Sequence, residues 1–409
     1  MKSPRLMKSP RLMKSPRLMK SPRLMKSPRL MKSPRLMKKT PRNQSVPLSR
    51  LIAIILVGVI GVAVVGLKLG QTPAEQMQTF AEAYLETLDE SQRGLTMKDF
   101  DSPTRVGWHF IPKDERKGLM IGDMNDAQRT AALRLLRAAL SEAGYGKVNR
   151  IMLLEEVLNK MEQGKGRWER NPQRYFVTLF GDPSGRAGDG GSTADGDESE
   201  SRDDRWGLSF EGHHLSLNFV CRGNSVLDST PQFLASNPAT VMQETTVTLG
   251  KGTAVLSREE QLGFKLIHSM SEEQKDAAVI ASEAPSEVRF AGKPQPEVTK
   301  PVGISYAKLN QSQKDLLQDL VTTYTDIAAE RVAQERRAKI ESDGWEGVRF
   351  AWAGALEPGI GHYYRVTGKS FLIEFVNTQS DPAGNPANHI HCFYRDLTGD
   401  FDIPVDPQN

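Results

Sequence analysis

The histidines of this chain are few and unevenly placed. Seven serve 409 residues, and five of them fall in short segments of strand-like composition. In ANHIHCFYRD, His389 and His391 point the same way along a strand, with Phe393 and Arg395 next in line. In EGHHLSLNF, strand alternation puts His214 with Ser216 and Asn218, a polar row that must meet water, a ligand or a metal. His213 falls on the other face with Leu215, Leu217 and Phe219, as a core residue does. In FLIEFVNT, Glu374 stands between Leu372 and Val376, a lone carboxylate on an apolar face that needs a partner. Arg365 lies in line with Tyr363 and Thr367.

An H-x-H on one strand offers two imidazoles to one metal ion, and a third ligand from a neighbouring strand leaves positions open for water and substrate. The expected site is a divalent metal ion on His214, His389 and His391, with Glu374 as fourth ligand or general base. Asn218 and Arg365 are expected to position a polar or anionic substrate. Such a centre activates water or a carbonyl for hydrolysis, or binds O₂ at iron, so the expected enzyme is a metal-dependent hydrolase or oxidoreductase. The competing reading is a non-catalytic binding or structural domain at the cell surface, with the histidines bonded internally.

Other chemistries find less support. Glu211 could join Glu374 as paired acids if the two came within reach of one another. Ser216 and His214 project side by side along one strand, and no G-x-S-x-G elbow exists, which argues against a serine hydrolase. There is no glycine phosphate loop after a strand, and two cysteines exclude a four-cysteine cluster. Arg116 and Lys117 read as surface cations, and His109 and His268 have no visible partners.

The elements that must position these residues form an α+β pattern. Helical periodicity covers Ala74–Glu90, Asp126–Ala143 (ended by Gly-Tyr-Gly at 144–146) and Val148–Gln163. YFVTLF at 175–180 is a strand, and 206–221 is a second strand or a tight pair breaking at Gly212. Between them, 182–204 is a solvated acidic loop without a calcium-loop register. Helix returns over Ser257–Ser282 and, after a Pro-rich connector at 294–303, from about Asn310 to Ile340. Val348–Ala353, His362–Thr367, Phe371–Thr378 and His389–Asp396 should form an antiparallel meander. The expected fold is one antiparallel sheet packed with helices, preceded by a transmembrane helix and a disordered basic tail.

That tail is six copies of MKSPRL and a degenerate seventh. Residues 1–50 carry sixteen Lys and Arg and no acid, so the remainder of the chain is net −12 despite an overall +4. An acidic body disfavours nucleic acid as a partner, whereas the basic tail suits anionic lipid. Mean hydropathy of −0.46 excludes a polytopic transporter. Leu51–Leu67 is seventeen uncharged apolar residues, extendable to 69 by the snorkelling Lys68. The basic flank puts residues 1–50 in the cytoplasm and 71–409 outside. The absence of an A-x-A site after Val65 favours an uncleaved signal-anchor. In that compartment Cys221 and Cys392 form either one disulfide or two buried thiols.

Several segments are familiar together. WHFIPKDERKGLMIGDM, QRTAALRLLRAALSEAGY, EGHHLSLNF, PQFLASNPA, GHYYRVTGKSFLIEFVNTQ and ANHIHCFYRDLTGDF resemble the exported bacterial and fungal family called domain of unknown function 3500, from about Gln76 to Asp402. The resemblance implies domain boundaries and no reaction. It also implies that EGHHLSLN, the Tyr-Tyr-Arg strand and the H-x-H belong to one recurring constellation. The acidic loop looks longer than family members carry, and Cys392 stands where a small residue such as Ser is expected.

Overall fold

Short runs of aromatic and β-branched residues build one large sheet. In chain order the strands are β1 (Met97–Lys98), β2 (Leu119–Met120), β3 (Tyr175–Phe180), β4 (Trp206–Gly212), β5 (Leu215–Arg222), β6 (Ser225–Asp228) and β7 (Gln232–Ser236). They continue as β8 (Val279–Ala281), β9 (Ile304–Ser305), β10 (Arg349–Gly354), β11 (His362–Thr367), β12 (Phe371–Asn377) and β13 (Ile390–Asp396). The main path runs β1-β3-β4-β5-β7-β13-β12-β11-β10-β8, antiparallel except at the β1–β3 and β10–β8 edges. The expected C-terminal meander is present. It joins the N-terminal strands where β13 pairs with β7, His391 opposite Ala235. The computed structural model describes residues 71–185, 204–244, 247–297 and 300–405. The basic tail, the apolar segment at 51–69 and most of the acidic loop lie outside those residues. Among the described residues no helix is long and apolar enough to cross a membrane.

Eight α-helices accompany the sheet in the described residues: α1 (Pro73–Glu86), α2 (Glu90–Thr96), α3 (Asp126–Ala139), α4 (Glu142–Met161), α5 (Ser257–His268), α6 (Glu272–Ala278), α7 (Gln311–Thr325) and α8 (Glu330–Asp343). Two boundaries differ from the periodicity. The helix expected to end at Gly-Tyr-Gly stops at Ala139, and both glycines lie inside α4, which Ser141 caps at the Gly144 N–H. A Cβ at Gly144 would stand 2.2 Å from the Ile327 carbonyl oxygen, so glycine permits a backbone contact there. The single helix expected over 310–340 is broken at 326–329. The two interruptions bond to each other: Ser141 N–H donates to Ile327 O and Ala329 N–H to Ala139 O. Tertiary pairing sets both breaks, and neither helix's own pattern records it. Similarly, the helix expected over 257–282 divides into α5, α6 and β8.

The sheet is buried on both faces. One face carries Phe210, Leu217, Leu234, Phe375 and Tyr364 into the main core beneath the helices. Cys221 and Cys392 belong to this core as free, buried thiols. The other face carries Phe233, Phe393, Val376 and Tyr363, and is covered by irregular chain: Trp108 and Phe110 from one segment, Val288 and Phe290 from another. Into this second layer also point Glu211, Glu374, Arg365, His391 and Arg395, all buried.

Fully buried Arg395 fastens the second cover. Its Nε donates to Asp400, also fully buried, at 2.6 Å. Its Nη atoms donate to the carbonyls of Phe290, Lys293 and Pro294 at 2.8–3.0 Å. Breaking a buried pair on one side strands the other charge. Arg395→Met should therefore cost about 3–5 kcal/mol in urea unfolding. A loss within the error of the extrapolation would show that the pair carries no such weight.

Candidate metal centre

The site forms at one end of the sheet, where strands of the two halves meet. β4 and β5 are joined by a two-residue turn, His213–His214, since Gly212 pairs with Leu215. His214 is therefore a turn residue rather than the first of a strand row. It adopts φ 64°, a left-handed conformation unusual for a side chain of its size. Its backbone is held at both ends: the N–H donates to Phe110 O at 2.8 Å, and the carbonyl accepts from Ala235 N–H at 2.9 Å. A strained conformation persists when its surroundings over-determine it in this way.

His389 precedes β13 and His391 lies within it. Their Nε2 atoms are 2.9 Å apart, and His389 Nε2 is also 2.9 Å from His214 Nε2. The three ligand atoms all fall within 4.8 Å of one another, so the three expected ligands do converge. Each is oriented from behind. His391 Nδ1 faces both carboxylate oxygens of Glu287 at 2.8 Å, which fixes the proton on Nδ1 and leaves the lone pair on Nε2. His389 donates its backbone N–H to Asn377 Oδ1 at 3.0 Å, and its Nδ1 stands 3.3 Å from the Asn237 amide. The His214 ring lies against His213, ring centres 3.6 Å apart, and His213 Nδ1 is 2.5 Å from Glu155 of α4. Phe110 and Phe233 close the apolar side of His391.

Burial dominates the electrostatics. It pushes His389 down to about 2 and His214 well below the ordinary histidine value, and neighbouring imidazoles add to both shifts. Both rings are consequently neutral at ordinary pH, the form a metal requires.

The remaining expected residues lie elsewhere on the same face. Glu374, wholly buried, accepts from the Arg289 backbone N–H at 2.8 Å and from its Nε at 2.5 Å. It pairs across strands with Phe393, two residues along from His391, and is not one of the three converging groups. Asn218 bonds Ser216 Oγ and Pro231 O, four residues along the chain from His214. Arg365 pairs with Glu374, one strand further out. Glu211 is engaged by Arg116 and Lys117, so the two acids are each held by cations rather than by one another. Arg116 and Lys117, expected at the surface, have side chains only 3% and 8% exposed. His362 bonds Ile360 O and packs beside Trp352, while His268 bonds Leu356 O.

Glu287 and Asn237 escape a reading of strand periodicity. Both belong to irregular chain, where no period marks the inward residues. The usable signal for Glu287 is indirect: a ligating imidazole generally donates its second N–H to an acceptor.

A family model described as protein of unknown function (DUF3500) matches residues 70–403. No curated protein and no solved structure matches the chain.

The depressed histidines make a pH prediction for the metal-free protein. The unfolded chain takes up protons near pH 6.5, whereas folded His389 resists until about 2. Their contribution to stability is thus whole above 6.5 and is lost as pH falls below it. Chelator-treated protein should lose stability with a slope that rises toward about 1.4 kcal/mol per pH unit for each such ring as pH falls from about 6.5 to 5. Urea melts of wild type and His389→Gln check this, the variant having the shallower slope. Equal slopes would contradict it.

Proposed function

The chain belongs to the family described as protein of unknown function (DUF3500), which brings no reaction with it, and we propose from its own residues that it is a metal-dependent enzyme centred on His214, His389 and His391. One observation supports this above the rest. His389 Nε2 is 2.9 Å from two other ring nitrogens, and one of these, on His391, already carries a lone pair because Glu287 holds the opposite proton. A ring nitrogen has a single in-plane direction, so it cannot serve both neighbours with two ordinary hydrogen bonds. A cation among the three serves all of them. Ligand nitrogens about 2.0–2.1 Å from a tetrahedral zinc stand roughly 3.3 Å apart, so the two 2.9 Å pairs would open by a few tenths of an ångström while the wider third pair, within 4.8 Å, would close.

Three imidazoles form a neutral ligand set, which leaves a dication its full charge for acidifying a bound water. A two-histidine, one-carboxylate set would suit iron and O₂ instead. Because Glu374 is engaged by Arg289, the arrangement favours metal-assisted hydrolysis over oxidation. In this reading Glu287 positions His391, and Phe110 and Phe233 keep water from its apolar side. We place the domain outside the cell, anchored by residues 51–69, on the strength of the basic arm and the uncharged apolar run.

Metal content by mass spectrometry on the full-length protein tests the centre. Near-stoichiometric metal is expected in the wild type and not in a folded His389→Ala/His391→Ala variant. No metal after reconstitution at neutral pH would return the histidines to a structural role. Glu287→Gln should bind the same ion about 10–100-fold more weakly, measured by chelator competition. Unchanged affinity would remove Glu287 from the site.

A further inference from the structure

The chain that covers His214 and His391 is itself clamped, by a side chain that is not one of the three ligands. Residues 107–111 have no regular structure, so their carbonyls need donors from elsewhere. Arg116, its side chain only 3% exposed, meets two of them. Its Nη1 donates to His109 O at 2.7 Å, and its Nη2 donates to Ile111 O. The carbonyl between those two, on Phe110, is the one that accepts the His214 N–H at 2.8 Å. Lys117 adds a bond to Gly107 O at 2.6 Å. Glu211 accepts from both cations, Lys117 at 2.9 Å and Arg116 at 3.5 Å, and balances charge that would otherwise be costly to bury.

We infer that Arg116 is a positioning residue of the metal centre, acting on His214 and His391 through residues 109–111. The inference rests on the metal reading of the three histidines. Phe110 carries it in two ways. Its carbonyl is one of the two backbone contacts that hold His214 at φ 64°, a conformation that persists only while its surroundings over-determine it. Its ring stacks on Phe233, ring centres 3.8 Å apart, and meets His391 edge-on at 5.0 Å. One guanidinium therefore fixes the peptide that orients one ligand and the ring that walls a second. The planar fork keeps its two acceptors in a fixed relation, which a flexible ammonium does not.

Zinc affinity of the full-length protein, by chelator competition, tests this. Arg116→Met should bind zinc about 10–100-fold more weakly than wild type, the range expected when the support behind a metal ligand is removed. Arg116→Lys keeps the charge beside Glu211, loses the fork and should fall between the two. If Arg116→Met does not fold, Arg116→Lys carries the same comparison. Arg336→Met is the control for a merely structural role. Arg336, on α8, is also buried and bonded through both Nη atoms, to Gln232 and Ser229. That variant should melt lower and still bind zinc as wild type does. Amide hydrogen exchange in chelator-treated protein reads the clamp without metal. The His214 N–H should exchange at least about tenfold faster in Arg116→Met, relative to amides in the middle of β5. Unchanged zinc affinity in Arg116→Met, an equal loss in Arg336→Met, or unchanged exchange at His214 would overturn the inference. No zinc in the wild type would instead defeat the metal centre itself, and this role with it, so the two failures are distinguishable.

Discussion

Everything at the site depends on burying a polar sheet face under chain that has no regular structure. Irregular backbone cannot satisfy its own carbonyls, so a cover of this kind needs donors supplied from beneath. Arg395 supplies them, meeting three carbonyls of the segment around 290–294 while Asp400 balances its charge. The position of that segment decides the rest. It carries Glu287 to His391 and Arg289 to Glu374.

What the sequence makes legible follows from this division. Strand residues repeat every second position, so the common face of His389 and His391 and the four-strand meander can be read from residue order alone. Strand alternation sets His214 in a row with Ser216 and Asn218, whereas it lies in the turn between β4 and β5 with φ 64°. Glu287, Asn237 and the burial of Arg116 are not legible, because loop residues have no period and their partners lie far away in sequence. The helix breaks at 140 and 326–329 escape periodicity for the same cause, each being set by the other. Glu374 does need the partner that its apolar neighbours imply, and that partner is a cation from the cover, not a metal from the histidine end.

The two halves of the sheet meet along β7 and β13, and the candidate ligands are divided across that seam. His214 belongs to the first half, His389 and His391 to the second, and Glu287 to the chain between them. Neither half presents three imidazoles alone. The apolar neighbours of His391, Phe110 and Phe233, both come from the first half, the side of His214 in the chain.

His214 and His389 are 175 residues apart. A metal ion shared between them would act as a cross-link closing a very long loop of chain. The entropy of closing such a loop is lost once, when the strands pair, and rises only slowly with length. Ligation then adds its binding energy to the folded state alone, in proportion to how far the free ion exceeds its dissociation constant. The pairing of the two half-sheets and the capture of the ion would be one equilibrium, so chelation would be felt along the whole β7–β13 seam.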